Sequence, residues 1–358
     1  MKLRLLALFF ALTMLFSLAA CSQDNGTDAG TGSAEGTGEN QTPAATDVRV
    51  YTLNGTTGFG MAKLMDDAAK GAFSTENYTF DVKTDASEVL AALVSGDVDI
   101  AALPTNAAST VYNRTQGGVK ILAINTLGCL FLLNTGDTAV TSIADLSGKT
   151  VYCPAQNPTF IFTYLCQQNG LEVITDGTPG EGQVLIDSTS YAAPASLRDA
   201  VAAGKVELAV LPEPMVTIAV SKAQTATPAV TVNIDLDLTA EWDKLPGKAG
   251  TLVQGCVVVR TAFLEEHPEA VANFLTAYEA SINYLNENPA EAAALVQTYG
   301  IFENAAVAEK AIPKCNVRYI DGGEMKEAVG TYLEILSEVN ANSIGGQVPE
   351  DDFYHIAQ

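Results

Sequence analysis

Short apolar segments alternate with amphipathic ones along the first half of the chain. Runs rich in Val, Ile and aromatic residues predict strands at residues 47–53, 78–84, 98–104 and 119–126. The segments "MAKLMDDAAKGAF" and "ASEVLAALVSG" instead keep their apolar residues at helical spacing, and Gly96 suits the end of the second helix. Strands that alternate with helices at such short intervals predict an α/β unit with a largely parallel sheet.

The same alternation returns in the middle of the chain. The stretch 130–137 leads away from the first unit, and helices are predicted to begin near Pro158 and Pro194 and after Leu211. Strands of this second unit are predicted at residues 149–153, 183–188, 206–211 and 229–235. The chain therefore contains two α/β units in succession.

The last third of the chain is predominantly helical. A return strand at 253–261 precedes long amphipathic segments, and Pro268 and Pro289 suit first helical turns. Because these helices have no strands of their own to cover, we expect them to pack on the first unit. Domain 1 is predicted to comprise residues 47–135 plus 245–358, with residues 136–244 inserted as domain 2. We expect the two crossings, near 130–137 and 239–256, to form a hinge.

One sequence pattern occurs twice, 108 residues apart. "SGDVDIAALPTNA" at 95–107 and "AGKVELAVLPEPM" at 203–215 both place Leu-Pro between a strand and a helix. Pro104 and Pro212 end their strands, because proline cannot donate to the ladder. Ligands of open α/β sheets lie beyond the carboxyl ends of the strands, where helix N–H groups are unpaired. We therefore expect the two corners to line a cleft between the domains.

The amino terminus has the pattern of an export signal. Lys2 and Arg4 precede an uncharged apolar run at 5–20, and Cys21 follows small residues in "SLAAC". This ending resembles the lipobox of bacterial lipoproteins, which implies a signal peptide at residues 1–20 and acylation of Cys21. A plain signal peptide and a membrane anchor are the alternatives. Residues 22–46 are rich in Gly, Thr and acidic residues, which predicts a flexible tether.

The composition is typical of a globular protein whose charge disfavours binding to polyanions. A chain of 358 residues, 47% hydrophobic and 17% charged, suits two domains. Loss of Lys2 and Arg4 with the signal takes the net charge from −23 to about −25, which disfavours binding to nucleic acid and to anionic lipid head groups. Membrane attachment would then depend on the lipid on Cys21.

Five cysteines follow the predicted lipidation site, without regular spacing: Cys129, Cys153, Cys166, Cys256 and Cys315. An odd number leaves at least one thiol free. We expect most of them to be small buried side chains, and a disulfide between Cys129 and Cys256 is the alternative.

Three segments carry a family resemblance. "SIADLSGKTV", "LRDAVAAGKVELAVLPEP" and "VVVRTAFLEEHPEAVANFLTAYEASINYL" resemble the solute-binding proteins of nitrate/sulfonate/taurine-type ABC importers, a group that includes binders of thiamine pyrimidine precursors. The resemblance runs from residue 48 to about 345. It implies a type II periplasmic-binding-protein fold: α/β, with two domains joined by a two-crossing hinge and C-terminal helices packed on domain 1.

The resemblance also implies a function. The protein would be a lipid-anchored receptor, on the outer face of the cytoplasmic membrane or the periplasmic side in a two-membrane cell. It would capture a small organic solute in the interdomain cleft and deliver it to permease and ATPase subunits, and we expect it to be a monomer. A lipid-anchored sensor or adhesin with the same fold is the alternative.

Polar residues at the predicted strand ends are the candidate ligand contacts. In ordinary structures the same residue types cap helices and form turns, Glu213 would interact with a helix start, and Phe59 and Tyr191 would pack in the core. No Arg or Lys lies in these loops, which favours a neutral or weakly polar solute and leaves sulfonates open. The candidates are Asn54, Thr56, Thr57, Phe59, Thr105, Asn106, Thr126, Asn157, Thr159, Ser188, Thr189, Tyr191 and Glu213, with Leu127, Gln156, Ser190 and Met215 beside them.

The sequence argues against catalysis. The only two histidines, His267 and His355, lie far from the cleft loops, and no HExxH, GxSxG or P-loop pattern occurs. An enzyme resembling thiamine-pyrimidine synthases is a remote alternative, since this chain lacks their Cys-rich motif. Neither metal nor cofactor is implied. We interpret the charged residues at the strand starts, Asp97, Asp99, Lys205 and Glu207, as solvated surface charge.

Overall fold

The computed structural model describes residues 44–356, so the predicted signal, Cys21 and nearly all of the tether lie outside the described residues. Within that range the chain forms two six-stranded sheets. The strands are β1 (Thr46–Leu53), β2 (Glu76–Lys83), β3 (Ile100–Pro104), β4 (Val119–Thr126), β5 (Leu130–Asn134), β6 (Lys149–Tyr152), β7 (Glu172–Ile174), β8 (Gln183–Asp187), β9 (Leu208–Pro212), β10 (Asn233–Asp237), β11 (Gly255–Arg260) and β12 (Val317–Ile320).

Helices fill the connections between strands and most of the C-terminal third. Several begin where the sequence predicts: Pro194, Pro268 and Pro289 are first-turn residues, where a missing N–H costs nothing. The helices are α1 (Thr56–Phe59), α2 (Ala62–Ala69), α3 (Ala86–Ser95), α4 (Thr105–Thr115), α5 (Asn157–Gln168), α6 (Pro194–Ala202), α7 (Met215–Thr225), α8 (Leu238–Asp243), α9 (Thr261–Glu266), α10 (Pro268–Glu287), α11 (Pro289–Thr298), α12 (Ala305–Ala311) and α13 (Gly322–Asn340).

The first sheet has the order β12-β4-β11-β3-β1-β2. Strands β2, β1 and β3 are parallel, and β11 lies antiparallel between β3 and β4. Successive residues of β3 face opposite apolar clusters, Ile100 on one side and Ala101 on the other. Both faces of the sheet are therefore buried at β3, which explains the continuous apolar run in this strand.

The second sheet, β10-β5-β9-β6-β8-β7, repeats this plan. Its parallel strands β7, β8, β6 and β9 are followed by antiparallel β5, just as β3 is followed by antiparallel β11. The antiparallel strand that follows these parallel strands in each sheet, β11 or β5, is the one that arrives from the other sheet. The predicted architecture of two mainly parallel α/β units is present.

The chain crosses between the sheets twice, between β4 and β5 and between α8 and β11. The first crossing is residues 127–129, because Leu130 already pairs with Pro212 in the second sheet. The second sheet thus begins before the expected boundary at 135/136. Strand β5 was not predicted, because its four apolar residues, 130–133, follow directly after the crossing.

The C-terminal helices mostly cover the first sheet. Helices α10 and α11 pack on α2, while α13 packs on α4 and β4 and also reaches α5 beside the second sheet. Strand β12, which the sequence did not predict, adds an edge to β4. One apolar cluster accordingly runs from Leu103 in β3 through Tyr332 in α13 to Val210 in β9.

Two expectations about individual residues have definite outcomes. Asp99 is buried, 2% exposed, and pairs with Arg49 and Arg260, so the expectation of solvated charge is wrong for this residue. Its charge is stabilised by guanidinium groups that reach in from β1 and β11. All five cysteines from Cys129 to Cys315 are free and buried, so the alternative disulfide is absent. In the described range, the helices are all too short or too polar to cross a membrane.

Candidate functional site

The two Leu-Pro corners meet at one cavity. Strand β3 ends at Pro104 before α4, and β9 ends at Pro212 shortly before α7. Both prolines line a space of about 290 Å³, here called the inner cavity. Its lining comprises Asn54, Gly55, Thr56, Thr57, Pro104, Thr126, Cys129, Leu130, Asn157, Pro158, Pro194, Pro212, Glu213, Pro214, Met215 and Gln254. The repeated sequence pattern thus marks the two sides of a single site.

Six of the predicted contacts line this cavity. Asn54 lies in the turn after β1, Thr56 and Thr57 begin α1, and Thr126 ends β4. Asn157 begins α5 and Glu213 follows β9. Gly55 allows this turn, since its φ of 81° is open to glycine and strained for other residues. The adjoining candidate Met215 also lies here.

The other candidates of the first sheet have protein partners or lie in the core. Phe59 is fully buried and packs edge-to-face on Phe302, its ring centroid 6.0 Å away, which is the core-packing alternative. Thr105 is also fully buried. Asn106 Nδ2 donates to the carbonyl of Ser343 at 3.2 Å, so this side chain fastens α4 to the C-terminal segment.

On the second sheet, the loop after β8 is organised by Asp187. This carboxylate accepts bonds from the backbone N–H groups of Thr189 and Ser190, both at 2.9 Å, and from both hydroxyls. Partial burial opposes ionisation, but these bonds prevail and lower the pKa of Asp187 to about 2. The backbone N–H and hydroxyl of the predicted contact Thr189 are thus both bonded to Asp187 within a turn. Ser188 beside it does not line the inner cavity.

Two further candidates, Thr159 and Tyr191, do not line the inner cavity. Thr159 Oγ1 donates to the carbonyl of Pro154 at 2.8 Å. Tyr191 packs edge-to-face on Tyr152 with ring centroids 5.6 Å apart. Thr159 thus makes a local turn contact and Tyr191 a packing contact, which were the alternatives to ligand binding.

Glu213 interacts with the start of helix α7. Its carboxylate accepts from the backbone N–H of Thr217 at 3.1 Å and from the Thr217 hydroxyl at 3.0 Å, and Lys314 Nζ lies 4.0 Å away. Burial raises the pKa of Glu213, although these bonds and Lys314 oppose the effect. The positive end of α7 therefore already has its own carboxylate, which weakens it as an anion site.

Gln254 is a cavity residue that the sequence analysis missed. Its Oε1 accepts from the backbone N–H of Cys129 at 2.7 Å, and its own backbone N–H donates to Thr126 O at 3.0 Å. The side chain thus ties the second crossing to the first while it lines the cavity. The sequence could have indicated Gln254 by its position directly before β11, because that end of the strand lies at the cleft.

The side chain of Asn157 is positioned by a residue of the C-terminal helix α13. Tyr332 of α13 donates its hydroxyl to Asn157 Oδ1 at 2.9 Å, and Tyr332 is fully buried. With its oxygen engaged, Asn157 presents its Nδ2 donor as the free polar group of a cavity-lining side chain.

A second space, the outer groove, adjoins the inner cavity and shares Asn54 and Met215 with it. It has a volume of about 420 Å³ and is lined by Asn54, Val82, Thr84, Arg198, Met215, Ile218, Gly300, Ile301, Phe302, Glu303, Asn304 and Val307. Neither histidine lines it or the inner cavity. Arg198 escaped the sequence analysis because it lies within helix α6 rather than in a strand-end loop.

Comparison with known families identifies this architecture. The family model described as "ABC transporter, phosphonate, periplasmic substrate-binding protein" matches residues 74–309, more than half of the chain. The chain belongs to this family. It is the substrate-binding component of an ABC importer, and its family consists of periplasmic binding proteins rather than enzymes. No curated protein sequence matches it.

Solved structures of other substrate-binding proteins share the fold. An ABC transporter protein from Parabacteroides distasonis has a TM-score of 0.69 at 22% identity, over 87% of this chain and 100% of that one. The aliphatic sulphonate binding protein SsuA from Escherichia coli has a TM-score of 0.64 at 13% identity, over 85% and 95%. SsuA from Xanthomonas axonopodis pv. citri, bound to MOPS, has 0.57 at 14%, over 86% and 96%. The predicted type II periplasmic-binding-protein fold and the predicted family are confirmed.

Proposed function

We propose that this substrate-binding protein captures a small organic solute in the inner cavity and delivers it to a permease. The observation that carries the proposal is the convergence of polar side chains from both α/β units and from a crossing. Thr126 ends β4 of the first sheet, Asn157 begins helix α5 of the second unit, and Gln254 lies in the second crossing. A solute held by all three would favour one arrangement of the two sheets over the others.

The proposed domain division follows from the same arrangement. Residues 47–129 and about 245–356 form one domain, residues 130–244 the other, and rotation about the two crossings opens and closes the cleft. Closure around a solute removes water from the inner cavity, which strengthens its hydrogen bonds. The permease then recognises the closed conformation.

Lipid attachment at Cys21 is part of the proposal. The uncharged run at 5–20 and the ending "SLAAC" support it, and residues 22–46 would let the domains reach a permease in the same membrane. The net charge of −23 gives the protein itself no attraction to anionic lipid.

Thermal unfolding of the purified full-length protein against a panel of solutes tests the binding role. The panel contains alkanesulfonates, phosphonates, taurine, nitrate, amino acids, pyrimidine precursors of thiamine and other flat heterocycles. A ligand at a hundred times its Kd adds about 2.7 kcal/mol, and each kcal/mol raises the midpoint by roughly 2 °C or more. A saturable rise with one compound class supports solute capture. A flat response across the panel contradicts it and favours a sensor or adhesin.

A further inference from the structure

The two α/β units touch directly at the inner cavity. The hydroxyl of Thr56, at the start of α1, donates to the backbone carbonyl of Glu213, which follows β9, at 2.9 Å. Both residues line the inner cavity, Thr56 from the first unit and Glu213 from the second. The bond therefore requires the two units to lie against each other, and a rotation about the crossings would break it.

The bonds of Glu213 leave its carbonyl available to Thr56. The carboxylate, rather than the carbonyl, accepts the backbone N–H and the hydroxyl of Thr217 in α7. The backbone N–H of Glu213 donates to the carbonyl of Cys129 in the first crossing at 3.0 Å. The acceptor that Thr56 uses is thus fixed relative to both the second unit and the crossing.

Helix α12 provides a second contact between the units, because it packs on α7. Lys314 lies in the turn after α12, and its Nζ is 4.0 Å from the carboxylate of Glu213. The lysine side chain is half-exposed, so we expect solvent to screen this ion pair and the Thr56 bond to contribute more. Both contacts reach Glu213 from the first unit.

We propose that Thr56 and Lys314 are positioning residues for solute binding, which hold the two units closed through Glu213 instead of recognising the solute. The Thr56 hydroxyl has one proton, and the carbonyl of Glu213 is a stronger acceptor for it than the sulfur of Cys315, 3.8 Å away. Thr56 therefore has no donor left for a solute.

The consequence for binding is the same for every solute. Contacts between the units favour the closed arrangement whatever the cavity holds, so they slow release without selecting the chemistry of the solute. This inference rests on the proposed rotation of the two domains about their crossings and adds the residues that oppose opening.

Cys129 is a native reporter of opening. Its side chain is 5% exposed and lines the inner cavity, so a thiol reagent reaches it when the units separate. Cys166 in α5 is fully buried and lines neither the inner cavity nor the outer groove, so it reports global unfolding. Alkylation of the full-length protein by iodoacetamide, followed by mass spectrometry of the peptides, measures both rates.

Thr56→Val keeps the shape of the side chain and removes the hydroxyl. We expect alkylation of Cys129 to become about fivefold faster, the factor for one lost hydrogen bond, while the rate at Cys166 stays unchanged. Thr56→Ser keeps the donor and should react at the wild-type rate. Lys314→Met should accelerate alkylation of Cys129 about twofold.

The direct effect of the Thr56 hydroxyl on the thiol has the opposite sign. Burial raises the pKa of Cys129 to about 12, and the neighbouring Thr56 hydroxyl opposes this shift. Its loss would by itself leave less thiolate and slow alkylation, so a faster reaction reports opening. The matched control is Thr276→Val on α10, because this exposed threonine bonds the carbonyl of Ala272 within its own helix and should leave both rates unchanged.

Equal rates at Cys129 in wild type, Thr56→Val and Lys314→Met overturn the proposal. A Thr56→Ser protein that reacts as fast as Thr56→Val also contradicts it, since the shape of the side chain would then matter rather than its hydroxyl.

The same measurement distinguishes this inference from the proposed function. If the variants react alike, but a compound that raises the unfolding midpoint slows alkylation of Cys129, closure around a solute stands and the role of Thr56 and Lys314 is wrong. If Cys129 and Cys166 react at one rate in every variant, the cleft opens only by unfolding, and the proposed closure falls as well.

Discussion

Asn157 and Asn106 show how little a residue type says by itself. Both are asparagines in the first turn of a helix that follows a strand end. Asn157 lines the inner cavity with its oxygen bonded by Tyr332, whereas Asn106 bonds the carbonyl of Ser343 in the C-terminal segment. The difference lies in which distant segment packs against each helix.

Replacing each asparagine by Ala should separate ligand contact from structure. Asn157→Ala removes a donor that the ligand uses, and we expect the affinity to fall about tenfold, the value of one hydrogen bond to a buried partner. Asn106→Ala should leave affinity unchanged and lower stability by about 1 kcal/mol. Calorimetric titration and urea unfolding measure the two effects, and equal affinity losses in both variants would refute the assignment.

The buried carboxyl of Glu213 predicts a pH dependence at the residue scale. Its pKa is raised above the ordinary value of 4.5, so the stability it contributes is complete below that value and is lost as the pH rises through the raised pKa. Glu213→Gln has no proton to lose. The free energy of unfolding of this variant relative to wild type should therefore increase between pH 4 and pH 8.

Urea unfolding across that pH range measures the difference. The exposed Glu265 on α9 gives the control, since Glu265→Gln should show no such trend. A constant difference between Glu213→Gln and wild type would mean that the bonds from Thr217 outweigh burial.

At the scale of elements, Asp99 joins three strands of the first sheet. It precedes β3, and its carboxylate accepts bonds from Arg49 of β1 and Arg260 of β11, both at 2.8 Å. Its backbone N–H donates to the carbonyl of Arg49, and its carbonyl accepts from the N–H of Arg260. The pattern of apolar residues predicted these strands well, because β3 and β11 are buried on both faces and the residues of β1 alternate between buried and partly exposed. It could not reveal the ion pairs, since Arg49 and Arg260 lie 50 and 161 residues from Asp99 in the sequence.

Removal of the Asp99 carboxylate should therefore weaken the whole sheet. We expect Asp99→Ala to lower the free energy of unfolding by about 2–3 kcal/mol, less than the roughly 3–5 kcal/mol of a fully buried pair, because the half-exposed Arg49 regains water. Asp97→Ala, at an exposed site, should cost less than about 0.5 kcal/mol. Equal small effects in urea unfolding would show that the pairs add nothing.

At the scale of the whole molecule, attachment and folding are separable. The folded domains contain no helix that could cross a membrane within residues 44–356, and the charge of the chain disfavours anionic surfaces. If the lipid on Cys21 is the anchor, Cys21→Ser should release the protein from the membrane fraction into the medium or periplasm. Its ligand affinity and unfolding midpoint should stay unchanged.

Fractionation of the producing cells followed by immunoblotting checks this outcome. Ser22→Ala, one residue further on, is the matched control and should remain membrane-bound. Retention of the Cys21→Ser protein in the membrane fraction would instead favour the uncleaved anchor.

The alternation of apolar strands and amphipathic helices, the repeated Leu-Pro corners and the order of motifs determined the fold class, the family and the place of the cleft. These are local patterns, set by burial of every second or every third to fourth residue, so the sequence by itself carries them. The tertiary structure alone decided which polar side chains reach the cavity. Gln254 and Tyr332 act across the crossings, from segments far from their partners Cys129 and Asn157 in the chain. Such contacts depend on how distant segments pack, and no periodicity encodes that.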